Sequence, residues 1–203
     1  MIAIVDYGMG NVTSARMALE HVGADARLTD DPDAIASADG VVLPGVGAFP
    51  KAMAELRARG LFEPVKEYRG PLIGICLGMQ LLFESSTELG GGTGLGILEG
   101  SVEAIDSQGL KIPQIGWNEV AWSDGAPLTD GLPERTAMYH VHSFAARPAD
   151  PSVVIGTAEY GERFATAVAR ENVFGVQFHP EKSSADGLAL LRNFVRLSAR
   201  VAA

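Results

Sequence analysis

Cysteine is almost missing from this 203-residue chain, which has only Cys76. One thiol cannot close an internal disulfide, so stability has to come from a packed core. The 47% hydrophobic and 20% charged residues are enough to build one. Positive charge is scarce as well: 16 Lys and Arg stand against 25 Asp and Glu, a formal charge of −9. That field repels the phosphates of nucleic acid and of anionic lipid, which excludes both as primary partners. No apolar run approaches the roughly 18 residues of a membrane-spanning helix. The opening MIAIVDYG lacks a basic leader region and meets Asp6 too early for a secretory segment. A reducing cytoplasm is the expected location, and neither an internal repeat nor a disordered tail is visible.

What is present is an alternation of strand and helix. IAIVD (2–6), a helix from about Asn11 to His21, ADARLT, a short helical turn near Pro32, VVLP (41–44) and a helix from Ala48 to Arg59 form a βαβα series. That order predicts a mostly parallel sheet covered by helices on both faces. After the Gly-rich GGGTGLG (90–96) the pattern changes to SVEAI, WNEVAW, AMYHVHSF, SVVIGTAEY, RFATAVA and VFGVQFH, with turns at SDG and DGLP. These runs predict an additional, antiparallel part of the sheet. The chain closes with a helix from Ser184 to Val201, striped by Leu188, Leu191, Phe194 and Val195. One α/β domain over residues 1–203 is expected.

The lone cysteine stands at a change of character. Leu72 to Ile75 reads as a buried strand, and Leu77 to Phe83 as the opening of an apolar-faced helix. Around it the sequence is Gly74, Ile75, Cys76, Leu77, Gly78, or G-x-C-x-G, the cysteine form of a nucleophile elbow. Small residues two before and two after are needed where strand and helix backbones come close. A helix N-terminus favours thiolate over thiol, and free amides from Leu77 onward could face an oxyanion. The alternative is a buried structural cysteine with glycines for packing.

A thiol nucleophile needs a base, and there are four histidines. His21 belongs on the surface of the first helix. His140 and His142 share one face of a strand, but two imidazoles without a third ligand make a weak metal site. Only His179 has its own carboxylate: in an extended segment Glu181 lies on the same side and reaches the ring. A base oriented by a third group is the general form of a catalytic triad. A surface His-Pro turn beside a solvated glutamate fits these residues as well. The turn LPGVGAF (43–49), with Gly45 and Gly47 around Val46, can point backbone amides into a pocket. YGMGN (7–11) lacks the third glycine and the acidic residue of a dinucleotide fingerprint, so a nucleotide is rejected.

DYGMGN (6–11), LPGVGAF (43–49), GICLGMQLLFE (74–84), IPQIGWNEV (112–120), VHSF (141–144) and GVQFHPEKSS (175–184) run nearly end to end. On these motifs the chain resembles the class I glutamine amidotransferases. YGMGN, PGVGAF and IGWN are most similar to the glutaminase subunits of imidazole glycerol phosphate synthase in histidine biosynthesis. Gln114, His140 and Thr13 depart from that pattern. The resemblance implies a flavodoxin-like amidotransferase fold and hydrolysis of L-glutamine with no cofactor and no metal. It makes Cys76 the nucleophile, His179 the base and then acid, and Glu181 the residue orienting it. The oxyanion hole would be the Val46 and Leu77 amides, with Gly47, Gln80, Glu88, Ser143 and Phe144 binding glutamine. It also implies a partner, a (β/α)8 barrel cyclase subunit receiving ammonia across an interface near Asn11, Trp117, Tyr139 and Lys182. On the residues alone Trp117 reads as core and Lys182 as a solvated charge. Two other readings remain: a thiol hydrolase of another γ-glutamyl compound working without a partner, and a scaffold that has lost catalysis.

Overall fold

The computed structural model describes residues 1–123 and 125–201. Its first half winds as β1 (Ile2–Val5), α1 (Val12–His21), β2 (Ala26–Thr29), α2 (Pro32–Ala36), β3 (Gly40–Gly45), α3 (Phe49–Ala58), α4 (Phe62–Glu67), β4 (Leu72–Cys76) and α5 (Leu77–Leu81). Strands β1 to β4 pair in parallel in the order β2-β1-β3-β4. All four residues of β1 and all six of β3 are buried, as a strand covered on both faces requires. Alternate side chains feed two separate cores. Ala3, Val5, Val41 and Leu43 pack toward α3 and α4, while Ile2, Ile4, Val42 and Ile73 pack toward α1 and the last helix.

The second half consists of β5 (Phe83–Ser86), β6 (Gly92–Thr93), β7 (Leu98–Ala104), β8 (Gln114–Trp122), β9 (Arg135–His142), β10 (Phe144–Pro148), β11 (Val154–Tyr160), β12 (Glu162–Arg170), β13 (Val173–Val176) and α6 (Ser184–Val201). The final strand returns to the parallel layer and lies beside β4, with Gly175 level with Gly74 and Val176 with Ile75. From β13 the sheet continues antiparallel through β12 and β10 to β7, while β11, β8 and β9 branch from β12. The mostly parallel sheet with an antiparallel extension is as expected, and α6 keeps its expected bounds. Leu190, fully buried, joins the stripe of Leu191 and Phe194. Among the described residues no helix is long and apolar enough to cross a membrane.

One expectation is corrected, and one element is added. The helix after Cys76 is a single turn, not a run to Phe83. Leu81 and Leu82 turn their carbonyls to Leu95, Ile97 and Leu98, and Phe83 starts a strand. The stretch between Gly60 and β4, to which the sequence reading assigns no element, holds α4, whose buried Val65 docks on the first core. Pro64 obscures it, although proline is tolerated in a helix's first turn.

The glycines around Cys76 are needed for space. A Cβ on Gly78 would fall 1.8 Å from the Leu43 carbonyl oxygen, and one on Gly74 would fall 2.6 Å from the Gly78 carbonyl. These are backbone atoms and cannot step aside. Gly78→Ala is therefore expected to destabilise the chain by more than about 3 kcal/mol or to prevent folding. Gly92→Ala, whose nearest neighbour would be 3.6 Å away, should stay within about 0.5 kcal/mol. Denaturant unfolding checks both, and a folded Gly78→Ala chain of ordinary stability would remove the packing argument.

Candidate active site

Cys76 ends β4 with φ 54 and ψ −111. Such a backbone costs a non-glycine residue on the order of 1–3 kcal/mol and persists only where the surroundings impose it. Here the two glycine contacts impose it. The thiol is 6% exposed, and its Sγ lies 3.7 Å from the Val141 carbonyl oxygen and 3.7 Å from Gln177 Nε2. The β3–β4 register puts Gly45 level with Cys76, so the segment after β3 passes the sulfur. That segment is tied down by Tyr7, whose buried hydroxyl donates to the Pro44 carbonyl at 2.7 Å. Burial, and then the charge of Cys76, raise the phenol above its usual range, so it remains a donor. Sequence reasoning misses Tyr7 as a site residue. Its only signal there is an aromatic directly following the charged end of a buried strand.

His179 follows β13 and reaches the same place from the neighbouring strand. Its Nδ1 meets Glu181 Oε1 at 2.8 Å, with both side chains about 4% exposed or less. The pairing is as expected, but the reason is different: residues 180–182 form a 3-10 turn, which curls Glu181 back toward the ring instead of extending along one side. Ser183 clamps that turn, its hydroxyl donating to the His179 carbonyl at 2.7 Å and accepting the Tyr139 amide at 3.0 Å. Burial alone would push the imidazole pKa down. Hydrogen bonds to Cys76 and Glu181, with their charges, outweigh it and raise the pKa to about 9. Near neutrality the site thus holds an imidazolium between a sulfur and a carboxylate.

The other buried histidines behave differently. Burial first, and then neighbouring imidazoles, push His140 down to about 3 and His142 to about 4, so both are neutral. His140 is satisfied at both nitrogens, by the Met138 carbonyl at 3.0 Å and Thr166 Oγ1 at 2.8 Å. It is a core histidine.

A cavity of about 270 Å³ opens on Cys76 and His179, and its wall includes Val46, Gly47, Leu77, Gln80, Glu88, Ser143 and Phe144. Every residue expected to bind glutamine or to shape an oxyanion hole is therefore at one cavity. Glu88 is held by the Phe49 amide at 2.8 Å. Gln80 is held by the Phe144 carbonyl at 3.1 Å and by Gln177 at 3.0 Å. A larger cleft of about 450 Å³, between Trp122 and α6, is lined by neither cysteine nor histidine.

Known proteins resemble this chain along nearly its whole length. Residues 3–197 match the family model for glutamine amidotransferase class-I. The chain belongs to the class I glutamine amidotransferases. This amidotransferase is 50% identical over 199 residues to the imidazole glycerol phosphate synthase subunit HisH of Moorella thermoacetica, covering 97% of this chain and 94% of that one. It is 48% identical over 203 residues to the HisH subunit of Syntrophotalea carbinolica, covering 96% and 98%. A chain of the solved PurLQS structure from Thermotoga maritima shares the fold, with a TM-score of 0.71 at 20% identity over 96% of this chain and 97% of that one.

Beside the amidotransferase cavity lies an uncovered aromatic face. Trp117 is 56% exposed, against the reading of it as core. It stands edge-on to Tyr139, level with it across β8 and β9, at a centroid distance of 6.1 Å. Lys182 Nζ lies 6.0 Å from the Tyr139 ring, and Ile115 is 60% exposed in the same strand as Trp117. Asn11 lines a small void with Val46, His179 and Glu181. Of the four residues expected at a partner face, Asn11, Tyr139 and Lys182 lie beside His179, and Trp117 lies beside Tyr139.

The raised His179 pKa has a measurable consequence. Its stabilising effect is fully present below about pH 6.5, the ordinary histidine value, and is lost as pH rises through about 9. The stability difference between the native chain and His179→Gln should therefore shrink from pH 6.5 to 9 in denaturant unfolding. A constant difference across that window would contradict the charged pair.

Proposed function

We propose that this glutamine amidotransferase is the glutaminase subunit of an imidazole glycerol phosphate synthase. On this reading it is a single domain spanning residues 1–203 and works in the cytoplasm. It hydrolyses L-glutamine to glutamate and ammonia and hands the ammonia to a (β/α)8 barrel cyclase subunit. There the ammonia is consumed in forming imidazole glycerol phosphate and aminoimidazole carboxamide ribotide for histidine biosynthesis. The observation that carries the reading is buried His179, its Nδ1 2.8 Å from Glu181, beside Cys76 at a cavity of about 270 Å³ whose wall holds Val46, Leu77, Gln80 and Glu88.

The chemistry follows from that pair. The Cys76 thiolate adds to the carboxamide carbon of glutamine, forming a C–S bond and an oxyanion that the Val46 and Leu77 amides receive. His179 gives its proton to the leaving nitrogen, the C–N bond breaks, and ammonia departs from a thioester. Neutral His179 then takes a proton from water as that water adds to the thioester carbonyl. Collapse releases glutamate and restores thiolate and imidazolium. Glu181 holds the ring in the required tautomer with Nε2 toward the sulfur. Gln80, Glu88 and the backbone at Gly47, Ser143 and Phe144 hold the amino-acid end of the substrate.

The aromatic face supports the partner. An exposed tryptophan edge-on to a tyrosine matches the residue types that dominate protein interfaces. Ammonia released beside such a face would enter the partner without crossing solvent, where it would be protonated and lost as a nucleophile.

Glutamate and ammonia release should be slow for the isolated chain and rise strongly when the cyclase and its ribonucleotide substrate are both present. Cys76→Ser should lower the stimulated rate by about three orders of magnitude or more. Trp117→Ala should weaken the complex by about 2 kcal/mol while leaving the isolated chain folded. Fast hydrolysis by the chain alone, unchanged by the cyclase, would leave the glutaminase in place and remove the synthase.

A further inference from the structure

The sulfur of Cys76 has less help from its helix than the elbow motif suggests. Helix α5 contributes five residues, too few aligned peptides to develop much of a macrodipole. The Val141 carbonyl, 3.7 Å from Sγ, accepts from a thiol and repels a thiolate. Something else has to favour the anion.

Gln177 is fully buried, one residue beyond β13. The register of β13 against β4 runs Gly175 to Gly74 and Val176 to Ile75, so the next residue, Gln177, comes level with Cys76. A buried amide is costly unless its oxygen and nitrogen both find partners. Here both do, and the order in which they do so is informative. Gln80 Nε2 lies 3.1 Å from the Phe144 backbone carbonyl, which can only accept. This settles which end of the Gln80 amide is nitrogen. The same nitrogen donates to Gln177 Oε1 at 3.0 Å, which settles the Gln177 amide in turn. Its remaining end, Nε2, therefore has to be a donor, and it lies 3.7 Å from Sγ. A backbone carbonyl thus dictates, through two amides, that a fixed N–H points at the nucleophile.

We propose that Gln177 is a second donor to the Cys76 sulfur besides His179, holding it as thiolate, and that Gln80 sets the direction of that donor as well as facing the substrate. The inference rests on the reading of Cys76 as nucleophile. The relay joins the wall that meets glutamine to the atom that attacks it, and no charge has to be buried to do so. A methionine at 177 would fill the same space and leave the sulfur with the Val141 carbonyl and one fewer donor.

Cys76 is the chain's only cysteine, so alkylation of the full chain by iodoacetamide reads one sulfur. Rate against pH is to be measured for the native chain, Gln177→Met and Gln80→Met. The charged and titratable groups that face the site are His179 and Glu181 after β13, Tyr7 after β1, His142 at the end of β9, neutral, and Glu88 and Lys182 on the cavity wall. None is altered by the Gln177 change. In Gln177→Met the profile should move to higher pH by about one unit, roughly a tenfold slower reaction at pH 7. Gln80→Met should shift it in the same direction by less. Lost packing alone would lower the melting temperature without moving the profile. Should Gln177→Met fail to fold, Gln177→Asn withdraws the amide by one methylene and should show the same shift. Superimposable profiles in the folded variants overturn the relay and, with glutamine hydrolysis intact, leave the proposed function standing. Full hydrolysis by Cys76→Ser would overturn both.

Discussion

The Leu43 carbonyl presses against Gly78 with no room for even one more carbon, and the active site depends on that approach. It pins the end of β3 to the first turn after β4. Only then do Gly45 and Cys76 come level, with Val46 and Gly47 passing over the sulfur. A Cβ on Gly45 would in turn fall 2.6 Å from the Tyr7 hydroxyl, so the tie from Tyr7 to Pro44 also requires the glycine. The strained backbone of Cys76 is a local cost, offset by the packing of the two cores on either side of the sheet. Close backbone contact does here what a disulfide could not do in a chain with one cysteine.

Three buried histidines show that burial does not decide which imidazole reacts. His140, His142 and His179 are all 6% exposed or less. Two are neutral, because no anionic partner offsets their burial. The third is charged well above neutrality, because its partners are a thiol and a carboxylate. The desolvation penalty is common to all three; the anionic partners are not. Glu181 therefore does more than orient a ring. With Cys76, it offsets the desolvation that leaves the other two histidines neutral.

Much of the fold and of the site is legible in the residues alone. Apolar runs separated by helical patterns mark the parallel half, and G-x-C-x-G marks the close approach that Gly74 and Gly78 make. Where sequence reasoning falls short, the missing information is not local. Helix α5 ends after one turn because Leu81 and Leu82 bond to residues 95–98, a contact that apolar periodicity cannot announce. Helix α4 is hidden by Pro64, in a position where proline does no harm. An extended strand would bring His179 and Glu181 together, yet a tight turn is what makes the contact. Gln177 carries one signal, an amide in the otherwise apolar run VFGVQF, two residues before the base. Its meaning depends on Gln80, 97 residues away.

That distance follows from the topology. Cys76 and His179 sit at the carboxyl ends of adjacent parallel strands, the usual place for a site in an open α/β sheet, but β4 and β13 are separated by the whole antiparallel half. The excursion is not idle. It returns β9, whose end at Val141 and His142, with Ser143 and Phe144 beyond, walls the cavity opposite Cys76. The outer face of the same strand carries Tyr139 beside the exposed Trp117. The Tyr139 carbonyl accepts the His179 amide at 2.9 Å, and the Tyr139 amide is held by Ser183. A molecule resting on Trp117 and Tyr139 would therefore touch a residue one hydrogen bond from His179 and in the same strand as the cavity wall. Building the aromatic face and the cavity wall from one strand couples them mechanically. On the proposed reading, a receiver bound there acts on the site through that strand.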